Sequence, residues 1–268
     1  MKKIALMTDS SADISVEDAE RKGLFVIRLP LTINDEEEFI EEETITKKEL
    51  AQRMRNGDVI KTSQAVLGTL ISTWEKVLEE YDEILYVPIS SGLSGSYEVA
   101  ATLSKNYNGR VTVVDAKFAC YPLQGMLEEV KLLIEKGYDC QTLKDKIENE
   151  TYMWAALLPK DLVYLKRGGR ISPAAAALGN LLKIVPILKV ENGSITVHDK
   201  VRTFKKAIQI AMDVVCQIEN PDDFNFYIVE AEMEDEAKEY AKEMEARLHR
   251  EVKVVPMYST IMAHTGPD

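Results

Sequence analysis

Cysteine is scarce in this chain and poorly spaced for chemistry. Cys120, Cys140 and Cys216 lie far apart in 268 residues, with no C-x-x-C pair among them. That excludes a disulfide framework and a closed zinc site and leaves buried free thiols as the expectation. Histidine is no richer. His198, His249 and His264 are scattered, and no two have the i, i+4 spacing of a helical metal pair. No metal site is expected.

Long apolar runs are missing as well. No stretch is long enough to span a bilayer, and the chain enters strand-like Ile4-Ala5-Leu6-Met7 at once. Neither a membrane helix nor a secretory signal is read, and a cytoplasmic location is expected. Basic residues are outnumbered 33 to 45, for a formal charge of −12 with no basic tract. Such a field repels a phosphate backbone, so nucleic acid is not an expected partner. The common nucleotide and nucleophile signatures are absent too: no G-x-G-x-x-G follows the first strand, and no glycine loop closes with Lys-Ser or Lys-Thr. What remains is an ordinary globular composition, 46% apolar, sufficient for one large or two small domains.

What the chain has instead is hydroxyls at strand ends. Thr8-Asp9-Ser10-Ser11, Lys61-Thr62-Ser63-Gln64 and Ser90-Ser91-Gly92-Leu93-Ser94-Gly95-Ser96 each follow an apolar run that reads as a strand. The last leads into a helical pattern from Tyr97 to Leu103. A strand, a Gly/Ser turn and a helix in that order set free amides and hydroxyls at a positive helix terminus, which suits an anion such as a carboxylate. The ordinary reading is that Ser94 caps the following helix, with Glu98 a turn later.

Strand and helix patterns alternate through the first half: Lys3 to Asp9, Ser15 to Lys22, Phe25 to Ile33 broken by Pro30, a capping-box helix from Thr46-Lys47-Lys48-Glu49, and a helix from about Gly68 to Glu80. Ile84 to Ile89, Val111 to Asp115 and a helix from Gln124 to Lys136 follow. Strands linked by helices predict a mostly parallel sheet with ligands beyond the strands' carboxyl ends, where the three loops sit. The acidic run Asp35 to Glu43 reads as a solvated loop.

The second half reads as a strand near Tyr152 to Leu158, a short helix Asp161 to Lys166, and an alanine-rich helix after Pro173. A hairpin around Asn192-Gly193, a helix Thr203 to Ile218, a strand Phe224 to Ala231, an acidic helix Asp235 to Leu248 and a strand Val252 to Met257 complete it. The fold class is thus α/β with two domains, residues 1–153 and residues 154–268, the second built on a mixed sheet.

Two further polar segments, Lys200-Val201-Arg202-Thr203 and His264-Thr265-Gly266-Pro267, have no obvious structural role. Taken in order, Thr8 to Asp13, Lys61 to Gln64, Ile89 to Gly95, Gly168-Gly169-Arg170-Ile171-Ser172, Val201-Arg202-Thr203 and His264 to Pro267 resemble the DegV family of bacterial fatty-acid-binding proteins. The resemblance covers essentially the whole chain. It implies a Rossmann-like N-terminal domain and a mixed C-terminal one, with one long-chain fatty acid in a tunnel between them. It also implies a non-catalytic role: members that are acyl-binding subunits of bacterial fatty acid kinase present the carboxylate to a separate ATP-binding subunit, which makes an acyl phosphate. No cofactor is implied beyond the fatty acid as ligand, and transient contact with a membrane surface would accompany lipid exchange.

Carried over by residue, the resemblance makes Thr62 and Ser94 hydroxyl donors to the carboxylate and His264 the residue that orients the head-group network. Asp9, Ser10, Ser63, Ser91, Gly92 and Gly95 belong to the supporting loops. Arg170 and Arg202 match arginines that dock the kinase or steer the phosphoryl group, although Arg170 is equally suited to pairing with a local carboxylate such as Asp161. Asp9 is read as a turn former that bonds backbone amides.

The chain also departs from the pattern. Ala116 stands after Asp115 where the family commonly has a hydroxyl, Gln64 is followed by Ala65-Val66 in place of Pro-Ser, and the chain stops at Asp268 where the pattern has glycine and continues. The competing class is a serine hydrolase acting on acyl esters through Ser94 or Ser91. It would need His264 as base, and Gly92-Leu93-Ser94-Gly95 puts its second glycine one position too early for a G-x-S-x-G elbow.

Overall fold

Two faces of one sheet organise the first half of the chain in a computed structural model that describes residues 2–171 and 184–267. Ser172 and the expected alanine-rich helix after Pro173 lie outside the described residues. The chain divides into two compact units. The first holds the described residues up to Met153 together with Tyr258–Thr260, and the second those of Trp154–Met257 and from Ile261 onward.

In the first unit, β1 (Ile4–Asp9), β2 (Phe25–Ile27), β6 (Glu83–Val87) and β7 (Val111–Val113) form a parallel sheet in the order β2-β1-β6-β7. Successive side chains of a strand point to opposite faces, and both faces of this sheet are buried. Leu6, Leu85 and Val87 pack on Leu123 and Leu127 of α5 (Cys120–Glu135) and Leu143 of α6 (Cys140–Glu150). Met7, Ile84 and Tyr86 pack on Leu70 and Trp74 of α3 (Leu67–Val77) and Ala100 of α4 (Ser96–Ser104). Each such large side chain contributes about 1.5–3 kcal/mol on leaving water.

The run Phe25 to Ile33 is not one interrupted strand. Pro30 cannot donate to a ladder and sits at a strand's first position, and the chain breaks there into β2 and a separate β3 (Pro30–Ile33). That strand lies antiparallel between β4 (Glu37–Ile40) and β5 (Ile60–Thr62). The acidic run is therefore partly strand, a correction to the solvated-loop expectation: Glu38 stands opposite Thr32. Helix α1 (Val16–Lys22) is capped by Ser15, and α2 (Lys47–Arg55) by the reciprocal Thr46–Glu49 box. Helix α6 has no counterpart among the elements expected from sequence. Asp139 accepts its Thr142 amide, and Leu143 and Ile147 bury its inner face.

The second unit carries an antiparallel sheet, β10-β9-β8, and a parallel pair, β11-β12. Here β8 is Trp154–Leu157, β9 Val185–Glu191, β10 Ser194–Val201, β11 Phe226–Glu230 and β12 Val252–Pro256. The hairpin turns on Asn192 (φ 49°) and Gly193 (φ 74°), both left-handed as a two-residue type I′ turn requires. Helix α7 spans Val163–Gly168, α8 Phe204–Cys216, α9 Glu234–Leu248 and α10 Ser259–Thr265. Met212, Phe226, Met244, Leu248 and Val252 pack α8 and α9 on the parallel pair.

Candidate functional site

The site begins with the exit of β6, where the chain leaves the middle of the sheet. Thr8 Oγ1 donates to Val87 O at 2.8 Å, and the buried Asp9 carboxylate accepts Ile89 N at 3.0 Å, so β1 holds the exit from one side. Asp9 also accepts the Ser11 amide at 3.1 Å and the Ser11 hydroxyl, closing the first hydroxyl loop. Burial pushes its pKa up against those bonds. Ser10 Oγ accepts Leu29 N at 3.0 Å.

From the other side, Asp115, two residues past β7, accepts Ser91 N at 3.2 Å and the Ser91 hydroxyl at 2.5 Å. The loop between is a tight turn. Ser90 O accepts the amides of Leu93 and Ser94 at 3.0 and 3.2 Å, and Ser90 Oγ accepts that of Gly92 at 3.2 Å. Ser94 caps α4 from one residue before its cap position. The helix starts at Ser96 with Gly95 as its cap residue, and Ser94 Oγ accepts the Ser96 amide at 3.2 Å and lies 2.9 Å from Ser96 Oγ. Ser94 is thus half-buried and engaged within its own turn. It offers nothing specific to the hydrolase reading.

The second hydroxyl loop lies alongside. Thr62 is the last residue of β5 and half-buried, the Ser63 amide donates to Pro30 O at 3.0 Å, and Ser63 and Gln64 are exposed. A Cβ on Gly95 would meet Gln64 Oε1 at 3.5 Å, an ordinary contact distance, so the two loops touch. Helix α3 then starts from Val66, which has no group to cap it. The cap residues of α5, α7 and α9 likewise make no side-chain bond, although Asp161 accepts the first amide of α7, so such a helix end alone defines no site. Two helix starts beside neighbouring hydroxyl loops bring amide and hydroxyl donors together, an arrangement that suits an anion in general.

In the second unit, the Gly-Gly-Arg and His-Thr-Gly segments come together. A Cβ on Gly168 would fall 2.1 Å from His264 Nδ1, so only glycine lets the ring sit there. Gly266, at φ +100°, would place a Cβ 2.9 Å from the Tyr164 ring. Arg170 donates to Gly168 O. Burial, and then the Arg170 charge, lower the His264 pKa to about 4, which keeps the imidazole neutral at neutral pH. Asp161 accepts the Val163 amide at 2.8 Å at the start of α7. Arg202 is exposed between β10 and α8, beside Thr203, which caps α8 through the Lys206 amide.

Two acids of consequence escape a reading of the sequence. Asp115 is visible there only as the end of a strand-like run and as the residue before Ala116 in the family pattern. Glu41 is hidden in the acidic stretch, yet it is fully buried: it accepts Thr260 N at 2.7 Å and Thr260 Oγ1 at 2.6 Å, and Ser10 also bonds to it. Burial raises its pKa to about 7 despite these bonds and the nearby Arg28 charge. Asp13, φ 51°, accepts Tyr258 N at 3.0 Å and is pushed well above the carboxylate range, chiefly by burial. These two acids fasten Tyr258–Thr260 within the first unit.

An α/β chain with hydroxyl loops gathered beyond the carboxyl ends of its strands is the class that fold and loops define. The family model described as "Uncharacterised protein, DegV family" matches residues 3–268. The chain belongs to the DegV family. A DegV domain-containing protein of Streptococcus pneumoniae is 32% identical over 270 residues, covering 98% of this chain and 95% of that protein. Among solved structures, DegV from Bacillus subtilis, described as a fatty acid binding protein, is 28% identical with a TM-score of 0.86, covering 99% of this chain and 96% of its own. A fatty acid binding DegV family protein from Streptococcus agalactiae is 26% identical with a TM-score of 0.89, covering 99% of this chain and 96% of its own.

Proposed function

We propose that this protein binds one long-chain fatty acid and that Thr62 and Ser94 donate hydrogen bonds to its carboxylate. The observation that carries the reading is the pairing of the Thr62-Ser63-Gln64 loop with the Ser90–Ser96 loop, hydroxyl-rich segments that touch and that each lead into a helix start. Fatty acid binding by the Bacillus subtilis and Streptococcus agalactiae relatives supports the ligand class. Energetically the parts divide. Acyl burial at about 0.8 kcal/mol per methylene supplies most of the affinity, and the donors select and place the head group. His264 is assigned to that head group by the family resemblance alone.

The finer reading is that the bound carboxylate is presented to a separate ATP-dependent kinase subunit for conversion to an acyl phosphate, with Arg170 and Arg202 serving the partner or the phosphoryl group. The resemblance at Gly168-Gly169-Arg170 and Val201-Arg202-Thr203 supports it. Exposed Val66 and Leu67, 56% and 51% accessible and next to the Thr62 loop, support transient contact with a membrane surface during lipid exchange. The test of the ligand class is thermal. Palmitate or oleate in excess over its dissociation constant raises the melting temperature of delipidated protein, because a ligand that binds only the native state stabilises it; no rise with either acid contradicts the reading.

A further inference from the structure

We propose that Asp115 is a positioning residue that gives the Ser90–Ser96 loop its preference for a carboxylate head group. This rests on the reading that the loop receives that head group. Asp115 directs its acceptors into the turn: Oδ1 takes the amides of Ser91 and Lys117, both at 3.2 Å, and Oδ2 takes the Ser91 hydroxyl at 2.5 Å. Ser91 is the residue at which the chain turns, and the next turn bonds, from Leu93 N and Ser94 N to Ser90 O, set where Ser94 points.

The opposite flank of the same exit is fixed by Asp9 through Ile89 N. One carboxylate at the end of β1 and one two residues past β7 thus clamp the exit of β6. Asp115 is itself held from behind: its amide donates to Glu148 Oε1 at 3.0 Å, and Lys144 bonds both Glu148, at 2.7 Å, and Val113 O, at 2.6 Å. Lys117 is left-handed at φ 57°, and its amide ends on the same Asp115 oxygen, so the carboxylate also holds a strained backbone turn. A fixed negative charge near a bound anion would repel it. An acid whose oxygens are occupied by three donors is instead suited to arranging the loop without touching the ligand.

The experiment compares binding of palmitate with binding of hexadecanol, which has the same chain and no carboxylate, in wild type, Asp115→Ala, Asp115→Asn and Asp115→Ala with Ser94→Ala. Asp115→Ala should weaken palmitate about tenfold while changing hexadecanol less than about twofold. Adding Ser94→Ala should cost little more, because both changes act on one loop. Asp115→Asn, which keeps one acceptor, should fall between and carries the test if the alanine variant does not fold. Equal losses on both ligands, or additive losses with Ser94→Ala, overturn the positioning role and leave the head-group reading standing. A wild type that does not prefer palmitate to hexadecanol overturns that reading and this inference with it.

Discussion

At the scale of single residues, the proposed head-group binding rests on the hydroxyls at the strand ends. Ser94→Ala and Thr62→Ala each remove one donor to an ionised acceptor, a bond of about 1.5–3 kcal/mol, so each should weaken palmitate binding by roughly tenfold or more. Titration of the two single variants and the double variant checks this, and unchanged affinity in the double variant would mean that the carboxylate is held elsewhere. Arg202 is predicted to behave in the opposite way. It is exposed and follows the hairpin, and a surface charge of that kind acts on docking and on transferred phosphate more than on lipid burial. Arg202→Ala should keep palmitate affinity and lose acyl-phosphate formation with a kinase subunit; loss of binding would move Arg202 into the ligand site.

At the scale of elements the buried acids govern stability. Glu41 titrates near 4.5 when unfolded and at about 7 in the fold. A carboxyl whose pKa is raised by folding contributes stability that is full below its unfolded pKa and is lost as pH rises through the folded one. The difference corresponds to about 3 kcal/mol at about 1.4 kcal/mol per unit, and Asp9 and Asp13 shift in the same direction. Glu41 therefore gives the unfolding free energy a downward slope between about pH 5 and pH 7.5, set against the upward slope that His264, lowered from 6.5 to about 4 by folding, gives below about pH 6.5. Glu41→Gln should remove the downward part, so that the slope measured by denaturant titration across the range becomes more positive than in wild type; an unchanged slope would show that Glu41 does not contribute to it.

The same elements show what a sequence discloses. The Thr46–Glu49 capping box, the Asn192-Gly193 turn and the strand exits at Thr8, Thr62 and Ser90 are local signals, written within four or five residues, and all are legible. Asp115 and Glu41 are not. Asp115 takes its meaning from Ser91, 24 positions earlier, and Glu41 from Thr260, 219 positions later. The split of the chain at Pro30 is half-legible: proline marks the break, but only the antiparallel partners of Pro30–Ile33 assign the second piece to another sheet.

At the scale of the whole molecule, the claim is that a chain with a net charge of −12 and no nucleotide loop exists to hold an acid by its head group. The energetics require the acyl chain to be buried and the carboxylate matched by donors, since an unmatched buried charge costs several kcal/mol. On that reading the protein is predicted to retain lipid through purification. The most direct measurement is native mass spectrometry of the purified protein, followed by denaturing extraction and identification of what is released. One long-chain fatty acid per chain is predicted, lost on delipidation and regained with palmitate. Folded protein that releases no fatty acid and takes up neither palmitate nor oleate would contradict the claim.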